Sequence, residues 1–130
     1  MPPCPAPLQV AVIDDDLAVR RALGRALTAC GAEVRDFASA EEALAELRPG
    51  EVDLIVTDLD LPGLDGAGLI AAARAEGHRC PAVVVSGELA EHHPERLAAV
   101  DAFAVLSKPF TLDSVRELVS ACQRGAPAQD

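Results

Sequence analysis

Short apolar runs alternate along this chain with stretches in which apolar positions recur every three or four residues. Leu8 to Ile13 is a β-branched run that reads as a strand buried on both faces. Val19, Leu23, Ala26, Leu27 and Cys30 then recur at helical spacing, and Gly31 stops that helix. Residues 33–37 form a more polar strand, expected at an edge of the sheet. Ser39-Ala40-Glu41-Glu42 reads as a capping box that opens a helix through Leu44 and Leu47, ended by Pro49-Gly50. Residues 53–57 are a third strand, 63–66 a loop, and Leu69, Ile70 and Ala73 the apolar face of a helix ending at Gly77. Pro81 introduces Ala82-Val83-Val84-Val85, the most apolar strand, which Ser86-Gly87 closes. Residues 88–94 are loop or frayed helix, and Pro94 suits the first turn of a short helix over about 95–100. A fifth strand covers 102–106. Thr111 caps a last helix whose apolar face is Leu112, Val115, Leu118, Val119 and Cys122.

Five strand–helix repeats with buried strands predict an α/β fold: a doubly wound five-stranded parallel sheet, helices on both faces, right-handed crossovers. The domain is expected over residues 8–124, with 1–7 a disordered N-terminal segment and 125–130 a tail or the start of a linker.

Composition narrows the function. The chain has 130 residues, enough for one domain with a sizeable core, and that core is aliphatic: no Trp, no Tyr and three Phe. A formal net charge of −10 argues against direct nucleic-acid binding. Cys4, Cys30, Cys80 and Cys122 have neither metal-ligand spacing nor partners, and are expected to be reduced thiols. The Pro-rich start is not expected to be a signal peptide, and no stretch of the sequence approaches the ~18 apolar residues that span a bilayer. Membrane association is not expected, and the cytoplasm is the expected compartment.

In an open parallel sheet, functional groups collect past the carboxyl ends of the strands. Those ends carry Asp14-Asp15-Asp16, Asp58, Ser86 and Lys108. Asp16 is expected to cap the first helix. Asp14, Asp15 and Asp58 would converge, and three carboxylates resist ionising together unless a cation joins them. An all-oxygen donor set selects Mg²⁺, or Mn²⁺, over zinc. Lys108 across the pocket would pair with Asp58 or with a phosphoryl oxygen, and Ser86 would donate a hydrogen bond to another. Together they would neutralise a phosphoryl group in transit, with Asp58 as the in-line nucleophile and an acyl phosphate as product. Singly each feature has a plainer explanation: a loop and helix cap at 14–16, a turn before Pro62-Gly63, a turn at Ser86-Gly87. The inference rests on their coincidence at four strand ends.

The motifs Val12-Ile13-Asp14-Asp15-Asp16, Asp58-Leu59-Asp60-Leu61-Pro62-Gly63-Leu64-Asp65-Gly66, Ser86-Gly87 and Lys108-Pro109-Phe110 together resemble the receiver (REC) domain of two-component response regulators, of the CheY-like superfamily. The resemblance runs over about residues 8–123. It implies that Asp58 is the phosphoacceptor in two-component signal transduction, served by a sensor histidine kinase or a histidine phosphotransfer protein. Asp15, Asp58 and the Asp60 backbone carbonyl would hold Mg²⁺, with Asp14 acting through a water. Ser86 and Lys108 would be the switch hydroxyl and the site lysine, the Lys108–Pro109 peptide would be cis, and the strand order 2-1-3-4-5. The output would be a switched surface for a partner protein or effector domain, with homodimer formation on phosphorylation a further expectation. Such a domain catalyses only its own phosphorylation and dephosphorylation.

Two departures stand out. Val105 occupies the switch position where the family usually carries Tyr or Phe, with Phe103 two residues earlier, and Asp101-Ala102 replaces the usual Gly-Ala. With Pro94 shortening the helix before it, output is expected to run through a rearranged segment there. Asp60 and Glu88, both acidic, flank the site at variable positions; they read first as solvated surface charge, with control of the hydrolytic water's access as the alternative. His92-His93 read as exposed loop. Two other readings remain open at this point. Asp58-Leu59-Asp60 resembles the aspartate pair of haloacid dehalogenase-type phosphatases, and a degenerate receiver would bind partners without phosphorylation.

Overall fold

The computed structural model describes residues 7–87 and 102–124. The readings made at Cys4, Glu88, His92-His93, Pro94, the helix over 95–100, Asp101 and 125–130 lie outside the described residues.

Five parallel strands, β1 (Gln9–Ile13), β2 (Glu33–Phe37), β3 (Leu54–Asp58), β4 (Ala82–Ser86) and β5 (Ala104–Ser107), form one sheet in the order β2-β1-β3-β4-β5. The described helices are α1 (Leu17–Ala29), α2 (Ala40–Glu46), α3 (Gly66–Ala75) and α4 (Leu112–Arg124). The expected fold class is the observed one. β2 is an edge strand, as its polar pattern predicts, and β5 is the other edge.

The two faces of the sheet divide the core. Ala11, Ile13, Ile55, Ala82 and Val84 point to α2 and α3, where they meet Ala43, Leu69, Ile70 and Ala73. Val10, Val12, Leu54, Val56, Val83 and Val85 point the other way, toward Leu23 and Leu27 of α1 and Val115, Leu118 and Val119 of α4. Period-two alternation inside wholly buried strands produces this division. Each fully buried Val, Leu or Ile contributes about 1.5–3 kcal/mol of transfer free energy, so the three central strands anchor the domain. Two strands run one residue further than their apolar stretches predict: Asp58 ends β3 and Ser86 ends β4, inside the ladder.

The caps follow the sequence. Asp16 Oδ1 accepts from the N–H groups of Ala18 and Val19. Gly31, at φ 92°, ends α1, with Ala32 N–H bonded to the Leu27 carbonyl and Gly31 N–H to that of Thr28. At α2 the hydroxyl half of the capping box forms, Glu42 N–H donating to Ser39 Oγ at 3.1 Å. The reciprocal pattern occurs at α4 instead. There Ser114 N–H donates to Thr111 Oγ1 and Thr111 N–H to Ser114 Oγ, both at 3.0 Å.

Candidate phosphoryl-acceptor site

Asp14 is held at nearly every polar atom. Its N–H donates to the Phe37 carbonyl at 3.1 Å, its carbonyl accepts from Arg20 Nη1 at 2.8 Å, and its Oδ1 accepts from Asp16 N–H at 2.8 Å. Oδ2 is left buried with no hydrogen bond among the described residues, 3.7 Å from Lys108 Nζ. Burial pushes the Asp14 carboxyl above its ordinary value, and the neighbouring charges of Asp58 and Asp15 add to the rise. The Asp16 N–H bond and the Lys108 ammonium oppose it.

Asp58 is delivered by β3, with Val85 as its register partner on β4. Its Oδ2 lies 3.3 Å from Lys108 Nζ, and its Oδ1 accepts from Asp60 N–H at 3.3 Å. Behind it, α3 begins at Gly66, whose N–H bonds the Leu59 carbonyl at 3.0 Å. A side chain at Gly66 would overlap the Asp58 carbonyl oxygen. Only glycine lets the first turn of α3 seat against the backbone of this residue.

Carboxylate oxygens of Asp14, Asp15 and Asp58 lie within 4.8 Å of one another, Asp14 and Asp58 buried and Asp15 exposed. An all-oxygen donor set with one buried oxygen lacking a hydrogen bond and one exposed member fits a hard divalent cation reachable from solvent. Ser86 Oγ is also buried, without a hydrogen-bond partner among the described residues. Ser86 N–H and C=O are engaged by the sheet, its carbonyl accepting from Lys108 N–H at 2.8 Å, so β4 fixes the backbone and leaves the hydroxyl unused. The Lys108–Pro109 peptide is cis, as the resemblance implies.

The structure thus brings Asp14, Asp15, Asp58 and Lys108 together, and puts Ser86 at the adjacent strand end. Asp60 is exposed, its N–H turned back to Asp58. Val105 lies opposite Val84 in the ladder and is 45% exposed, while Phe103 is half-buried in the α1–α4 core. The sequence reading missed two supporting residues. Arg20 ties the Asp14 carbonyl to Asp36 of β2, with its Nε 3.0 Å from Asp36 Oδ2. Glu41 accepts a hydrogen bond from the loop after β3. Neither carries a sequence signal, since each bond is made between elements.

The family model described as the response regulator receiver domain matches residues 10–120. The chain is 32% identical over 126 residues to the response regulator MprA of Mycolicibacterium vanbaalenii, covering 95% of this chain and 54% of the relative. It is also 32% identical over 113 residues to the DNA-binding transcriptional regulator NtrC of Klebsiella pneumoniae, covering 83% of this chain and 23% of the relative. The chain therefore spans about half, or less, of the length of these relatives. Among solved structures, a response regulator receiver protein from Pseudomonas putida superposes with a TM-score of 0.76 at 28% identity, over 90% of this chain and 98% of the other. Chemotaxis response regulator CheY4 of Vibrio cholerae gives 0.79 at 24% identity, over 90% and 99%, a likeness of fold.

Proposed function

Because the chain belongs to the response regulator receiver domain family, we propose that Asp58 accepts a phosphoryl group and that the domain relays its phosphorylation state to a partner surface. The observation that carries this reading is the Asp14–Asp15–Asp58 cluster with the Lys108 ammonium 3.3 Å from Asp58. One carboxylate oxygen of Asp58 attacks phosphorus in line. The bond from phosphorus to the donor's imidazole nitrogen breaks, its electron pair leaves with the imidazole, and an acyl phosphate forms. Water attack on phosphorus later releases inorganic phosphate and restores the carboxylate.

The remaining residues supply charge and placement. Lys108 moves from pairing with Asp58 to pairing with a phosphoryl oxygen, and the Ser86 hydroxyl donates to another. Asp15, Asp58 and the Asp60 carbonyl would hold Mg²⁺ or Mn²⁺, with Asp14 acting through a water. When bound, that ion offsets the charge of the phosphoryl oxygens. The phosphoryl donor is a phosphohistidine on a sensor kinase or phosphotransfer protein. Because the chemistry ends on its own side chain, the domain is a signalling phosphoacceptor and turns over no other substrate. Phosphorylation shifts the population of a surface that a partner protein, an effector domain or a second copy reads.

Intact-mass measurement after incubation with acetyl phosphate and Mg²⁺ tests the assignment. A single phosphoryl adduct is expected in the native chain and none in Asp58→Asn. An undiminished adduct in that variant refutes it, and steady hydrolysis of a phosphomonoester by the native chain would favour a phosphatase.

A further inference from the structure

A carboxylate on α2 holds the loop between Asp58 and α3 from outside. Glu41, in the first turn of α2, places Oε2 2.9 Å from the N–H of Leu64, twenty-three residues away. The same oxygen lies 2.8 Å from where a side-chain carbon on Gly63 would sit, and Gly63 has φ 75°. Gly63 thus serves the backbone turn and clears the space the carboxylate occupies. The carboxyl of Glu41 is held below its ordinary value, first by the Leu64 N–H and then by its own.

The position of this contact matters. α2 follows β2, whose last carbonyl, on Phe37, accepts from Asp14 N–H. The loop follows β3 and carries Asp60, whose N–H bonds Asp58 Oδ1. β1, with Asp14 and Asp15 beyond its end, lies between β2 and β3. The Glu41–Leu64 bond therefore bridges the two structures flanking the acidic cluster. On the other side of Leu64, Asp65 Oδ1 caps α3 through Gly68 N–H at 2.8 Å. Between these points the chain 59–65 is pinned at Leu59, at Leu64 and at Asp65. The bond from Glu41 ties the loop to α2.

We propose that Glu41 is a positioning residue for the phosphoryl-acceptor site. Its carboxylate fixes the 59–65 loop, and with it the Asp60 carbonyl and the Asp58 carboxylate, in the arrangement that receives the divalent cation. The inference rests on the reading of Asp58 and its neighbours as a cation-assisted acceptor. Glu41 touches neither phosphoryl group nor cation. It acts through the backbone of the loop, as outer partners of metal ligands do.

The test compares Glu41→Ala and Glu41→Gln with the native chain. Mg²⁺ titration followed by backbone amide shifts should show affinity falling about tenfold in Glu41→Ala, the lower end of the range for loss of such a partner. Glu41→Gln keeps an acceptor for Leu64 N–H and should lose less. The Leu64 amide should exchange faster in Glu41→Ala, with the melting temperature of the cation-free protein unchanged. Equal Mg²⁺ affinity in all three proteins overturns the proposal. A lowered melting temperature with unchanged affinity also overturns it, since Glu41 would then act on stability alone. Should the native chain bind Mg²⁺ but form no adduct on Asp58, the functional reading fails while the Glu41 contrast in Mg²⁺ affinity still reports on positioning.

Discussion

Lys108 Nζ stands 3.3 Å from Asp58 Oδ2 and 3.7 Å from Asp14 Oδ2, so one ammonium serves two buried carboxylates delivered by different strands. With the lysine removed, two carboxylates face each other across a poorly solvated gap. Lys108→Met is expected to lower stability by on the order of 1 kcal/mol in chelator, read by denaturant titration, because the pair is only partly screened by water. Added Mg²⁺ should recover much of that loss, since it supplies the missing positive charge. Acceptance of phosphoryl from acetyl phosphate should fall even with Mg²⁺ present.

Asp14 gives a pH signature. Its carboxyl is raised in the folded protein, so the fold favours its protonated form. That contribution is fully present below the unfolded-state value and is lost as pH rises through the folded value, leaving a penalty at neutral pH. Asp14→Asn should therefore melt higher than the native chain at pH 7 in chelator, by a few degrees for a gain of about 1 kcal/mol. The advantage should shrink as pH falls through the raised value of the folded protein and be gone below the ordinary carboxylate value. Melting curves at several pH values check both the sign and the trend.

Ser86 separates chemistry from stability. Its hydroxyl is buried and has no partner among the described residues, so Ser86→Ala removes a polar atom that none of them uses. The variant should be as stable as the native chain, or more stable by up to about 1 kcal/mol. Phosphoryl acceptance should slow by about a hundred- to a thousandfold, the scale for losing one donor to a developing charge.

Two glycines should respond in opposite directions. Gly66→Ala drives a methyl into the Asp58 carbonyl and to 3.0 Å from Leu59 Cα, backbone that cannot move without shifting the site. A loss of roughly 1–3 kcal/mol and impaired phosphorylation are expected. Gly24, inside α1, has among the described residues only Val34 Cγ1 near the added carbon, at 3.9 Å. Gly24→Ala should stabilise by about 0.5–1 kcal/mol through helix propensity, with acceptor activity unchanged.

What the sequence determined by itself was whatever depends on neighbours a few residues apart. Alternation within β1, β3 and β4 assigns their side chains to two faces, the helical spacing of Leu23 and Leu27 marks the inner face of α1, and Asp16, Gly31 and Gly77 act within one turn. Strand ends in a parallel sheet share one rim, so Asp14, Asp15, Asp58, Ser86 and Lys108 were legible as a group once the sheet was. Tertiary structure alone decided how that group is held. Asp58 and Ser86 proved to be the last rungs of their ladders, one residue beyond the predicted strand bounds. Lys108 bridges two acids fifty and ninety-four positions away. Arg20 holds the Asp14 carbonyl, and Glu41, which in sequence reads only as part of a capping box, bonds the loop after β3. The physical reason is range: periodicity and capping are local energies written in adjacent residues. A hydrogen bond or a burial-driven pKa rise depends on which elements the folded chain brings together, and no spacing along the sequence encodes it.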